Sequence, residues 1–205
     1  MRCLSRWWSN SCLALKGRPS RVRPRTKMTV HEQFKTAADF WSGMVVPDCE
    51  DYRSNPTSLR RALHSAISLF HMHDWIFHTH KCVVQTTFTY IDRAGVQKPA
   101  LTSEEFANSL EQRNNDFGRI RGIANAGKHL RLRPAGIRPV QNAPSDAANT
   151  RIQTTAYGQG GFGQGPYGGT PRVVLEGPGG SDMEFLAILE NVYRMWREVM
   201  AENGW

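Results

Sequence analysis

The residues best able to do chemistry lie in two stretches. Phe117 to Leu132 (FGRIRGIANAGKHLRL) carries Arg121, Asn125, Lys128 and His129, and an earlier segment carries His71, Asp74, Trp75 and His78. With about 100° between successive helical residues, Arg121, Asn125 and Lys128 fall in a narrow arc with His129 at its margin. One surface then presents two fixed cations, an amide and a titratable imidazole. Such a face can hold a phosphodiester, with Arg121 and Lys128 balancing charge while His129 moves the proton of an attacking 2′-hydroxyl. The same residues can instead form a buried polar network in which Asp74 or Asp116 neutralises Arg121 or Lys128, because buried charges survive only when paired. Accessibility separates the two readings. An open cationic groove at Arg121, Asn125 and His129 favours an enzyme, and salt bridges closing those groups to Asp74 favour an interaction or structural module.

The HDW segment at Asp74 on a long helix, followed by RGIANAGKH on a later one, resembles a group of uncharacterised bacterial helical proteins with an Ala-Asn-x-x-Lys-His signature. More distantly it is similar to the HEPN superfamily of helical ribonucleases and nucleotide-binding modules. The resemblance covers residues 29 to 132 and leaves the later segments outside it. HEPN nucleases carry an Arg, usually followed by a polar residue, and a His after a short spacer. Here Arg121 is followed by Gly122, and seven residues separate it from His129; Asn125 and His129 fit the polar-residue spacing, but Ala124 stands where the Arg belongs. The resemblance implies a metal-independent ribonuclease or toxin-type nuclease, with His129, Asn125 and Arg121 as catalytic candidates. Lys128, Asp74, His71 and His78 are then binding candidates, with RNA as partner and a homodimer sharing one groove.

The elements that must position these groups are mostly helical. HEQFKTAADFWSGMVV places Phe34, Ala37, Ala38 and Trp41 at helical spacing and predicts a first helix ending near Gly43, before Pro47. Asn55 as N-cap with Pro56 at the first helical position predicts a helix from Thr57 to His80. Its apolar stripe, Leu59, Ala62, Leu63, Ala66, Ile67, Phe70 and Phe77, marks it as the central core helix, with His73 inside the stripe and Asp74 near its edge. Trp75 points away from the stripe, so this helix should be covered on more than one side. Val83 to Pro99 alternates and is rich in β-branched residues, as a short strand or an ordered connection.

Thr102 and Glu105 form a capping box that opens a third helix, and Ile120, Ile123, Ala124, Gly127 and Leu130 line the apolar side of the fourth. Gly122 and Gly127 imply close approach of a neighbouring backbone. Three prolines between Arg131 and Thr150 end the helical periodicity. RIQTTAY and PRVVLE then read as a hairpin around a glycine-rich loop, over residues 151–176. Ser181 and Glu184 are expected to cap a last helix carrying Phe185, Ile188, Leu189, Val192, Trp196, Val199 and Met200. The fold expected is mainly α, a four- or five-helix bundle with a small β-hairpin inserted before the last helix.

Two other patterns lose their apparent chemistry on inspection. His64, His71 and His78 recur every seven residues on the long helix, but the i, i+4 pairing of helical zinc ligands is absent, so no metal and no cofactor are expected. Gly158 to Gly163 spells GxGxxG, yet proline, more glycine and a strand follow where a dinucleotide site needs a helix. That loop also lacks the arginines that would accompany base stacking.

The net charge of +8 would suggest a polyanionic partner, but residues 1 to 27 hold eight basic residues and no acid. The remainder balances 18 basic against 18 acidic residues, so the charge describes a basic tail. The tail reads as disordered or as a start assigned upstream of Met28, with an Arg-rich, acid-free organelle leader or a basic arm able to touch phosphates as alternatives, and residues 28–205 as a single helical domain. Cys49 and Cys82 outside the tail fit incidental thiols in a reducing compartment, and no apolar run is long enough to span a membrane. The reading is therefore a cytoplasmic interaction or structural module, with the HEPN-like ribonuclease as alternative.

Overall fold

The computed structural model describes residues 34–128, 150–153, 171–176 and 181–205. The basic tail, His129 and the glycine-rich loop lie outside these described residues. The described chain is mainly α, with two small antiparallel sheets.

Thr36 and Asp39 start the first helix by reciprocal capping: Asp39 N–H donates to Thr36 Oγ1 at 3.1 Å and Thr36 N–H to Asp39 Oδ2 at 2.9 Å. α1 (Ala37–Phe40) does not end at Gly43. It passes through a π-helical turn, Trp41–Val45, into α2 (Val46–Ser54). Pro47 explains the detour, since a proline inside an α-helix has no N–H to donate and its ring meets the carbonyl four residues back. Widening the turn lets Val46 N–H reach Trp41 O and carries the axis past the obstacle.

Ser58, rather than Asn55, caps the long helix α3 (Leu59–Thr79), its Oγ accepting from Arg61 N–H at 3.4 Å. Asn55 instead closes α2, with its N–H on Tyr52 O and its side chain accepting from Thr57. α3 buries Ala62, Ala66, Leu69, Phe70, Met72, His73, Ile76 and Phe77. Leu59 is exposed and Leu63 and Ile67 are only partly buried, so the buried face is turned toward Ser65, Ser68 and Met72 relative to the expected stripe. On the flank shared with Ser68 and Met72, away from the expected stripe, Trp75 stacks on Phe40 at 5.0 Å, with Phe34 edge-on to both rings. The central helix is thus covered on more than one side.

The Val83–Pro99 segment divides in two. Its first part joins α4 (Lys81–Thr87), and the rest forms a hairpin of β1 (Thr89–Ile91) and β2 (Gln97–Pro99) paired Thr89↔Pro99 to Ile91↔Gln97. Asp92 Oδ1 closes the turn by accepting Ala94 N–H at 2.8 Å and Val96 N–H at 2.9 Å, and Gly95 supplies the positive φ of 79°. Thr102 and Glu105 form the expected capping box at the start of α5 (Ser103–Arg113). Asn114 is extended and breaks the chain before α6 (Asn115–Lys128), whose side Phe117, Ile120, Ile123 and Ala124 is buried against α3 and the last helix.

β3 (Thr150–Gln153) and β4 (Arg172–Glu176) pair antiparallel as the sequence suggested. The expected Ser181–Glu184 cap does not form. Asp182–Glu184 becomes β5 on the other edge of β4, and Asp182 accepts from Arg151 and Gln153 across the sheet. Edge pairing of β4 and these charge-assisted bonds outcompete a cap on an exposed helix end. α7 (Phe185–Asn203) then brings Phe185, Ile188, Leu189, Val192, Trp196 and Val199 into the core, where Trp196 Nε1 donates to Leu69 O at 2.9 Å.

Two substitutions test this account. A Cβ at Gly43 would overlap the Phe34 ring, so Gly43→Ala should lower the thermal midpoint. In a Phe34→Ala background the same change should reverse sign and stabilise by about 1 kcal/mol through helix propensity; a loss in both backgrounds would refute the contact as the cause. Thr102→Ala should cost about 1 kcal/mol in urea unfolding, and no loss would mean that the α5 cap is idle.

Candidate functional site

α5 makes polar contacts to both of its neighbours, α6 through Arg121 and α3 through Asp74. Arg121 leaves α6 as a buried side chain, 7% exposed, in an otherwise apolar stretch. A guanidinium stays charged at any relevant pH, so burying it demands acceptors. α5 supplies them: one guanidinium nitrogen donates to Asn108 Oδ1 at 2.9 Å and to Glu111 Oε2 at 3.3 Å, and the other to Glu104 Oε1. Positions 104, 108 and 111 are i, i+4 and i+7 on one helix, so a single face two turns long reaches one cation. Burial pushes the Glu111 carboxyl above its ordinary range, against the pull of Arg121 in the other direction.

Asp74 does not meet Arg121, contrary to expectation. It leaves α3 toward the start of α5, where Ser103 Oγ donates to its Oδ1. His71 Nδ1 stands 3.7 Å from its other oxygen and His73 Nε2 3.5 Å from the first. The His71 hydrogen bond, followed by that from Ser103, outweighs desolvation and holds the Asp74 carboxyl far below the usual range. Asp116 is likewise engaged elsewhere, with Arg119 and with Asn191 Nδ2 at 2.8 Å. The link between Asp74 and Arg121 is indirect, through the adjacent residues Ser103 and Glu104 of α5.

His73 is buried, as its place in the stripe implied, and its Nδ1 lies 2.5 Å from Phe70 O. A carbonyl only accepts, so Nδ1 carries the proton and a neutral ring turns the Nε2 lone pair toward Asp74. The imidazolium would donate to both oxygens, but burial disfavours its charge and pushes the His73 pKa down despite them.

The predicted site residues therefore separate. Arg121 belongs to the α5–α6 network and Asp74 and His71 to the α3–α5 contact, while His64 and His78 are exposed. Asn125 is half-buried one turn beyond Arg121. The Lys128 side chain and His129 lie outside the described residues. Glu104, Asn108 and Glu111 were not expected as the partners of Arg121, although their i, i+4, i+7 spacing was readable, because Asp74 and Asp116 also offered carboxylates to neutralise it. Around Arg121 and Asp74 the described groups include three carboxylates, Asp74, Glu104 and Glu111, one guanidinium, and the His71 and His73 imidazoles beside Asp74. Among the described residues no three His, Cys, Asp or Glu are grouped to hold a metal ion. The Cys49 thiol is buried and pushed up to about 12 by that burial, so it supplies no thiolate near neutral pH.

No family model matches the sequence, and searches of curated proteins and of solved structures returned no match.

Arg121→Met should cost about 3 kcal/mol in urea unfolding, because it leaves the Glu111 carboxylate and the Asn108 carbonyl without their donor; a change under about 0.5 kcal/mol, typical of unconstrained surface sites, would show that the pairing holds nothing. The pH dependence has a definite sign. The folded pKa of His73 is depressed, so below its unfolded value of about 6.5 the unfolded chain takes up a proton that the folded chain refuses. Stability therefore falls as pH drops from about 6.5 toward the folded pKa, where the penalty becomes complete. His80, also depressed by burial, contributes with the same sign, so His73→Gln should flatten the slope without abolishing it. An unchanged slope between about pH 7 and 5 would remove His73 from this role.

Proposed function

We propose that this chain is an interaction or structural module of the cytoplasm, in which the Arg121 face joins helices instead of gripping a substrate. The observation supporting this is the engagement of Arg121 by Glu104, Glu111 and Asn108 of the neighbouring helix. A phosphate clamp must keep guanidinium donors directed at the ligand and a positive local field around them. Here the described surroundings are acid-rich, and the cation is almost wholly buried. The helices are held by a conventional apolar core in which Phe117 meets Trp196 edge-on at 5.7 Å. No described helix is long and apolar enough to cross a membrane.

Incubating the full chain with short single-stranded RNA tests the reading directly. The expected outcome is intact RNA and no RNA-dependent shift of the His129 imidazole resonances. Cleavage that disappears in His129→Ala, with the helical circular dichroism retained, would overturn the module and establish the nuclease.

A further inference from the structure

We draw no further inference here: the strongest candidate, the uncharged outer face of the β1–β2 hairpin where Thr89, Ile91, Gln97 and Pro99 lie beside the exposed Leu101, carries nothing because nothing in the structure shows what covers it.

Discussion

A guanidinium buried among apolar side chains is the constraint around which α5 and α6 are arranged. Desolvating it costs several kcal/mol, and proton loss cannot relieve that cost as it can for lysine or histidine. The compensating acceptors must therefore arrive from a neighbouring element at fixed positions. α5 can provide them because Glu104, Asn108 and Glu111 share one face, while Phe106, Ala107 and Leu110 are buried in the apolar core. The capping box at Thr102 sets where α5 begins, and hence how its acceptors align with Arg121. Thr102, Glu105 and the Arg121 partners are thus parts of one arrangement, and Ser103 between them extends it to Asp74 on α3.

The N-terminal part is governed by a different constraint, the missing N–H of Pro47. Two solutions exist for a proline following a helical segment: stop the helix, or change its winding. Stopping at Gly43 would forfeit the burial of Val45, Cys49 and Tyr52, all of which are essentially inaccessible. The π-helical turn keeps α1 and α2 continuous and preserves that burial. Its geometry also places Gly43 directly under Phe34, and through Phe34 the turn supports the Phe40–Trp75 stack on one flank of α3.

Legibility in the sequence followed the range of the interaction. Local signals were readable: the Thr102–Glu105 cap and the apolar register of α7 depend on residues close in sequence, and the pairing of RIQ with RVVLE on two short strand-like runs flanking a glycine-rich loop. Competition between signals was not. Ser58 and Asn55 are both good N-caps, and Ser181–Glu184 reads as a cap until β4 offers an edge to Asp182–Glu184. The site failed for a related reason. Cations on α6 were visible, but α3 and α5 both lie against α6, and choosing a partner among Asp74, Asp116, Glu104 and Glu111 required knowing which of these carboxylates faces Arg121. Only the presence of an i, i+4, i+7 acceptor row could have favoured α5, and that row is interleaved with its apolar positions.

Local charge weighs most heavily between the two functional readings. At an effective dielectric of about 20, a phosphate held about 4 Å from a carboxylate meets a repulsion of about 4 kcal/mol. A hydrogen bond to a charged donor returns about 1.5–3 kcal/mol. With Glu104 and Glu111 already on Arg121, an incoming phosphodiester must displace a carboxylate or accept its repulsion, and displacement leaves Glu111 partly buried without its cation. Asp74 adds a further negative charge on the α3 side, held ionised by His71 and Ser103. The arrangement that makes Arg121 tolerable in the interior therefore also makes it a poor ligand for an anion, and both properties arise from the same α5 face.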